Sequence, residues 1–259
     1  MIQMTQSEFY RIRKSRLFFG CLVLAVFFVF ALALTFRYNT VTVPLKNGEQ
    51  PTISLVAFTE FLFSDYSLVF PLTLFLCLYF TEDFHKGTYA LLLSKGNTRN
   101  NIFWGKLFAA WLGTCVYLLV CFGLSYIFIL IMCAGVPNIT YSVSTMGLFL
   151  ILQCLCSGGY VAVLNLLSCL LRHRVIVTVV AFFLLGALYL YLTKISTALD
   201  LDDLLYSYWI VGLSHSMQIN DYTEHFAPII ATITVYLLCP TGFAFYLFQK
   251  IDLRRLERR

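Results

Sequence analysis

Long apolar runs dominate this sequence, and several approach the roughly 20 residues that an α-helix needs to cross the hydrocarbon core of a bilayer. Of the 259 residues, 60% are hydrophobic and only 12% are charged. A soluble domain of this length has no interior large enough to bury so much apolar surface. The sequence therefore predicts an all-α polytopic membrane protein, with one domain over residues 1–259. We place six membrane-spanning helices at residues 17–35, 61–80, 107–133, 146–171, 175–193 and 228–248.

The distribution of Lys and Arg predicts how these helices are oriented, because cytoplasmic loops are enriched in both residues. With both termini in the cytoplasm, 15 of the 18 Lys and Arg residues fall on the cytoplasmic side, and only Arg37, Lys46 and Lys194 fall outside. This asymmetry accounts for the net charge of +5 and gives no reason to expect a nucleic-acid partner. We therefore predict that both termini are cytoplasmic.

Two segments outside the predicted spans have patterns of their own. Residues 5–16 combine the apolar Phe9 and Ile12 with several basic residues, a pattern typical of a short helix lying in the membrane interface. A basic anchor with no further role fits the same residues equally well. On the outer side, residues 194–227 are polar around one apolar stretch, and they predict short helices that cap the outer mouth.

Catalytic and metal-binding signatures are missing from the sequence. It contains no phosphate-binding loop and no common hydrolase or metalloprotease motif. The nine cysteines lie mostly in apolar runs without zinc-binding spacing, which favours small buried hydrophobic side chains. A surface hydrolase could be drawn from His215, Asp221 and His225, but nothing in their spacing fixes a catalytic geometry. We therefore predict no catalytic residue, no metal site and no cofactor bound by this chain.

Three polar residues in the predicted spans are candidates for lining a translocation path. Gln153 and Asn165 lie in the fourth span, close to the small residues Gly158 and Gly159. Helix–helix packing with interhelical hydrogen bonds is the interpretation we favour for both, and a path is the alternative. Asp65 would be costly facing lipid, so we expect it to point into the bundle or to lie near the outer surface.

The segment between the second and third predicted spans, residues 82–102, is charged at its ends and apolar in its middle. Glu82 and Lys86 are spaced to pair at i,i+4. Gly87 is expected to end the helix of the second span, and Thr88 to cap a new helix. The pattern predicts a short helix of about two turns that is closed by a second glycine.

One face of this short helix is apolar, because Tyr89, Leu92 and Leu93 follow the i,i+3,i+4 spacing. Two turns of helix are not stable alone, so the apolar face requires either the lipid interface or a groove on another protein. The residues themselves leave both possibilities open. After the short helix, Asn97 or Thr98 is expected to cap the helix that enters the third span.

The same segment resembles the cytosolic loop of ABC-2 type transporter permeases, which has the pattern E-x-x-x-x-G-T-x-x-x-L-L-S followed by T-R and G-K. Pro71 in the second span and the six-span layout are also similar to that family. Gly96 and Asn97 depart from the pattern where a proline is often found. The chain has no large outer domain, and so it resembles the small exporters of bacitracin and lantibiotic protection and of phenol-soluble modulin export. The matching residues are Glu82, Gly87, Thr88, Leu92, Leu93, Ser94, Thr98, Arg99, Gly105 and Lys106.

The resemblance implies the permease subunit of an ATP-driven exporter in a bacterial cell membrane. The short helix would be the coupling helix, seated in a groove of a separate ATPase subunit that binds ATP and Mg. Tyr89, Leu92 and Leu93 would anchor it, Lys95 and Arg99 would make polar contacts at the rim, and Glu82 would hold the geometry of the loop. The residues assigned to ATPase coupling are Glu82, Gly87, Thr88, Tyr89, Leu92, Leu93, Ser94, Lys95 and Arg99.

The resemblance also implies a second permease subunit, identical or related, and a cargo that is an amphipathic peptide toxin or antibiotic. An alternative from another class is a membrane anchor or sensor, which would use the same loop to recruit a cytosolic partner without transporting anything.

Overall fold

A computed structural model of the chain describes residues 2–42, 53–64, 67–132, 139–140, 143–198, 209–216 and 222–250. These residues are helical almost throughout. One two-residue parallel pairing, between β1 (Ile53–Ser54) and β2 (Ile139–Thr140), accompanies the helices. In chain order the helices are α1 (Ile2–Lys14), α2 (Arg16–Thr42), α3 (Leu55–Ser64), α4 (Val69–His85), α5 (Thr88–Ser94), α6 (Arg99–Met132), α7 (Val143–Leu171), α8 (Arg174–Ala198), α9 (Ile210–Ser216) and α10 (Tyr222–Lys250).

Four of the described helices contain segments long and apolar enough to cross a membrane. These segments are Arg16–Tyr38, Arg99–Ile131, Met146–Leu171 and Ala227–Lys250. In α8, the segment Arg174–Leu184 is apolar but shorter. Long apolar helices of this kind indicate a membrane-embedded protein, as the sequence predicts. Their number in the described residues is four, whereas six spans were predicted.

The predicted second span, residues 61–80, is not a single helix. Helix α3 ends at Ser64 and α4 begins at Val69, after a turn. Pro71 therefore lies in the first turn of α4, where its missing N–H breaks no intrahelical hydrogen bond. The expectation that Pro71 bends a helix at its middle is wrong for this reason. Asp65 lies outside the described residues.

Small residues on α7 allow its neighbours to approach closely. A Cβ on Gly158 would lie 3.0 Å from the indole Nε1 of Trp111 on α6. A Cβ on Gly159 would lie 3.1 Å from both Ile210 of α9 and Tyr236 of α10. The two glycines therefore act in helix packing, which is the role we favoured for this part of the fourth span.

Helix α1 packs along the first half of α6, and it begins earlier than the predicted segment 5–16. The contact is close because α6 presents glycine where α1 crosses it. A Cβ on Gly105 would lie only 2.8 Å from Cγ of Met4, and one on Gly113 would lie 3.4 Å from the Ile12 side chain. Since Ile12 is also buried, α1 belongs to the helix bundle and is fixed to α6.

Candidate functional site

The segment between α4 and α6 folds as the short helix α5 between two glycine turns. Gly87 has φ of 64° and Gly96 has φ of 84°, in the left-handed region that glycine adopts without a steric penalty. Before the first turn, the Lys86 ammonium lies 2.5 Å from a carboxylate oxygen of Glu82. The predicted i,i+4 pair and the helix stop at Gly87 are therefore confirmed.

The caps of the two helices differ in part from the prediction. Thr88 is the first residue of α5, and the preceding glycine takes the cap position without any side-chain hydrogen bond. At the start of α6, the backbone N–H of Asn101 donates to the Thr98 hydroxyl at 3.3 Å, so Thr98 is the cap. Asn97 instead donates to the Leu92 carbonyl through both its backbone N–H and its side-chain amide, each at 3.3 Å. This pair of bonds closes the end of α5.

Tyr89 fastens α5 to the rest of this chain. Its side chain is only 4% exposed, and its ring packs against Phe84 at 4.8 Å and Phe248 of α10 at 5.3 Å between centroids. The Lys106 ammonium donates a hydrogen bond of 3.0 Å to its hydroxyl. Burial and the nearby Asp83 carboxylate raise the pKa of Tyr89 well above its ordinary value, so the hydroxyl stays protonated. Tyr89 therefore belongs to the core of this chain, whereas the sequence placed it on an apolar face turned outward.

The outer face of α5 is formed by other residues. Leu91 is 53% exposed, and Ser94 and Lys95 are exposed as well. These three positions share one side of the helix by their i,i+3,i+4 spacing. Leu92 and Leu93 are partly buried against the core. Leu91 was missed from sequence, although its spacing to Ser94 and Lys95 marks a second possible face.

Behind α5 lies a buried charged cluster, which consists of Glu8, Arg11, Asp83 and Lys106. At its centre Asp83 is 2% exposed. Arg11 donates to both carboxylate oxygens of Asp83, at 2.9 and 3.0 Å, in the bidentate geometry that guanidinium favours. Lys106 donates to Asp83 at 2.6 Å and to the Phe80 carbonyl at 3.2 Å. The cluster therefore joins α1, α4 and α6, and through Tyr89 it also reaches α5.

A tyrosine completes the cluster on the side of α1. The Tyr79 hydroxyl donates to Glu8 at 2.9 Å, and Glu8 lies 3.3 Å from the Arg11 guanidinium. The Tyr79 ring faces both cations, with Arg11 at 5.3 Å and Lys106 at 5.1 Å from its centroid. Two carboxylates and two cations thus balance in charge, which offsets the cost of removing them from water.

The ionisation of Asp83 follows from these contacts. Burial alone would raise its pKa, but the Lys106 charge and the hydrogen bonds from Arg11 outweigh burial and hold the pKa below its ordinary value. Burial likewise opposes the charge of Arg11, but its hydrogen bonds to Asp83 keep the Arg11 pKa above the ordinary value. Both groups are therefore charged at neutral pH.

Asp83, rather than Glu82, fixes the geometry of the loop from within. Glu82 pairs with Lys86 at the surface, where its side chain is 39% exposed. The neighbouring Asp83 points inward because it lies one helical turn after Tyr79, which is also buried. A signal was present in the sequence, since an acid at this position and Lys106 both border apolar runs. Their pairing depends on how α4 and α6 meet, and sequence spacing does not give this.

Arg99, predicted at the rim of a partner groove, contacts the end of α10. Its guanidinium donates to the Gln249 carbonyl at 2.6 Å. The Gln249 side chain in turn donates to Asn100 at 2.5 Å. The start of α6 is therefore tied to α10, and Lys95 is the exposed cation of α5 itself.

The polar residues of α7 lie at two levels of the bundle. Gln153 is buried and exchanges two hydrogen bonds with Ser214 of α9, at 2.9 and 2.7 Å. Both residues border a small, mainly apolar cavity between α4, α6, α7 and α9. Asn165 is also buried, about 18 Å further along the helix axis. Gln153 thus holds the outer helix α9 in place, and the structure does not bring the two polar residues together.

The described residues provide no catalytic or metal-binding assembly. Within them, no group of three or more His, Cys, Asp or Glu side chains could hold a metal ion. The described cysteines are free thiols, and apart from Cys239 they are at least partly buried. Asp221, needed for the hydrolase alternative, lies outside the described residues.

No family model matches this chain, and no curated protein matches it either. The similarity to ABC-2 type permeases therefore depends on the loop residues and the layout given above.

Proposed function

We propose that this chain is the permease subunit of an ATP-driven exporter and that a separate ATPase subunit binds at α5. The observation that carries the proposal is the way α5 is held. Its inner side is fixed by Tyr89 to the buried charged cluster, while Leu91 on its outer side is exposed. A helix of seven residues forms only when it is supported, and here the support lies on one side and leaves the other free for a partner.

The connections of α5 support a mechanical role. It is joined by single glycine turns to α4 and α6, and both lead into the apolar bundle. The charged cluster adds α1 to the same unit. In the proposed cycle, ATP binding closes two ATPase subunits, and the displacement of α5 reaches α4 and α6 through these short buried contacts.

In the proposed topology, both termini are cytoplasmic and six helices span the membrane. The two spans beyond the four long apolar segments would be α4, extended on the outer side by α3, and α8. Helix α4 has 17 residues and is about 25 Å long, so it approaches the hydrocarbon thickness of about 30 Å. Helix α8 has 25 residues. The excess of Lys and Arg at the end that carries α5 places that end in the cytoplasm.

A second permease copy would complete the translocation path. Helix α2 supports this part of the proposal, because it exposes a series of large apolar side chains that lipid or another copy must cover. These side chains are Phe19, Val23, Leu24, Phe27, Phe30 and Leu34. The proposed cargo is an amphipathic peptide, as in the small exporters that the loop resembles.

The test is a Leu91→Asp variant co-expressed with the ATPase encoded next to this chain. An ATPase groove that covers Leu91 would have to bury an unpaired carboxylate, so we expect at least a tenfold loss of co-purified ATPase. Ile2→Asp is the matched control, because Ile2 is an exposed apolar side chain at the same end of the bundle, on α1. Native assembly and native transport by the Leu91→Asp variant would contradict the proposal.

The anchor or sensor alternative predicts the same loss of binding but no transport. Reconstitution of both subunits in vesicles, with uptake of a labelled amphipathic peptide measured with and without ATP, separates the two functions. An exporter accumulates the peptide only with ATP, whereas an anchor moves none under either condition.

A further inference from the structure

A second group of basic side chains lies where the end of α4 meets the turn between α7 and α8. This basic patch consists of His85, Arg172, His173 and Arg174. The rings of His85 and His173 are 5.7 Å apart between centroids, in an edge-to-face arrangement. The patch lies beyond the charged cluster and has no part in holding α5.

The positive charge of the patch is not compensated within the described residues. Their carboxylates form ion pairs with Arg11, Lys86 and Lys106, and none with a residue of the patch. The Nε of Arg174 is also buried, and no described group accepts a hydrogen bond from it. A buried N–H of a charged side chain without an acceptor is costly, so an external acceptor would be stabilised here.

The backbone at Arg172 supports a role for its side chain. Among the described residues other than glycine, Arg172 alone has a positive φ, at 53°. Glycine or asparagine is usual at such a helix end. An arginine in this conformation is strained, and strained residues are retained mainly where their side chains are used.

The residues on both sides of the basic triplet indicate what covers it. Leu170 and Leu171 precede the triplet, and Val175 and Ile176 follow it, and all four side chains are exposed. In a membrane, exposed apolar side chains face the acyl chains, and basic side chains between them lie at the level of the headgroups. The patch therefore faces the lipid headgroup region and is not enclosed in a groove of the protein.

We propose that the basic patch binds the phosphate of an anionic phospholipid headgroup and that protonation of its histidines strengthens this binding. The phosphate supplies the acceptors that the Arg172 and Arg174 guanidinium groups lack. This inference requires that the helices span a membrane, and it does not depend on an ATPase partner or on transport.

The pH dependence follows from the groups around His85. The turn between α7 and α8 contributes His173 and Arg174, and α4 contributes Glu82 and Lys86. Slight burial and the charges of Arg174 and His173 lower the pKa of His85. A bound phosphate would oppose these charges and raise that pKa, so protonation and binding favour each other. Affinity for the anionic lipid should therefore rise between pH 7.5 and pH 5.5.

The experiment titrates the purified full chain in detergent with a short-chain phosphatidylglycerol, with phosphatidylcholine of the same chain length, and with inorganic phosphate. Arg172→Gln with Arg174→Gln should weaken phosphatidylglycerol binding about 30-fold, since each basic residue near a membrane surface contributes about a fivefold factor. Arg13→Gln with Lys14→Gln removes the same charge from exposed positions of α1 and should leave the affinity unchanged. His85→Asn with His173→Asn should abolish the pH dependence and preserve the affinity at pH 7.5.

Arg172→Gly guards against misfolding as an explanation, because glycine suits the positive φ and yet removes one guanidinium. We expect this variant to lose about fivefold in affinity while its thermal stability is retained. Equal binding of phosphatidylcholine, or unchanged binding by the double arginine variant, would overturn the site. Tight binding of inorganic phosphate without a preference for phosphatidylglycerol would overturn the lipid as its ligand. A pH dependence that persists in the double histidine variant would overturn the role of the histidines.

Discussion

Replacing Asp83 with Asn should destabilise the protein more than any change at its neighbour Glu82. The substitution keeps the size of the side chain and removes its charge. Two cations, the Arg11 guanidinium and the Lys106 ammonium, would then face a neutral amide at 2.9 and 2.6 Å, respectively. Lys106 is as buried as Asp83, so water cannot replace the lost carboxylate.

The magnitude follows from this burial. Removing one partner of a buried ion pair costs about 3–5 kcal/mol, because the other charge stays uncompensated. For a domain of this size, each kcal/mol shifts Tm by about 2–4 °C, so we expect Asp83→Asn to lower Tm by about 6–20 °C. The Glu82–Lys86 pair is exposed, and Glu82→Gln should cost at most about 0.5 kcal/mol and shift Tm by about 2 °C or less.

The assay is thermal unfolding of the purified protein in detergent, followed by tryptophan fluorescence. A double-mutant cycle with Lys106→Met adds a second readout, because removal of both charges leaves neither one orphaned. The double variant should therefore lose less stability than the sum of the two single variants. Strict additivity, or a Tm for Asp83→Asn equal to that of Glu82→Gln, would refute the assignment of Asp83 to a buried pair.

Three further predictions concern the same end of the bundle. Gly105→Ala should lower Tm, because its Cβ would lie 2.8 Å from a side chain of α1, whereas Gly123→Ala on the same helix meets no atom within 4 Å and should be neutral or stabilising. Tyr89→Phe keeps the buried ring but removes a hydrogen-bond acceptor from the Lys106 ammonium, and it should cost about 1.5–3 kcal/mol in a thermal melt. Because the folded-state pKa of Asp83 is depressed, its contribution to stability is complete above the unfolded-state pKa of about 3.9 and is lost as pH falls further. The difference in Tm between the native chain and Asp83→Asn should therefore stay constant from pH 8 to about pH 5 and shrink only below about pH 4.

The features that sequence could predict here are the local ones. Gly87 and Gly96 end helices because of their own backbone freedom, and the Glu82–Lys86 pair depends on spacing within one helix. The apolar runs similarly locate the long helices, since each run must be covered by lipid or by protein. Boundaries were less accurate where a helix continued beyond its apolar run, as α6 does at its start, Arg99.

The features that sequence could not predict depend on contacts between distant segments. Tyr89 turns inward because Phe84 and Phe248 provide a place for its ring and Lys106 meets its hydroxyl. From spacing alone, a face containing Leu91 was as possible as one containing Tyr89. The break in the second span was missed for a related reason, since residues on both sides of it are apolar and hydropathy does not register a turn.

The charged cluster also bears on why α5 would transmit force. A loop that only recruited a partner would need its exposed Leu91 and little else, and buried charges behind it would be an unnecessary cost. Four charged side chains in a dry site are tolerated only while every contact is made, because each lost partner leaves a charge without compensation. Pulling Tyr89 away from Lys106 would be the first such loss, so a displacement of α5 is resisted locally and passed to α1, α4 and α6 together. Such an arrangement makes α5 a rigid extension of the bundle, which a transporter driven from outside the membrane requires.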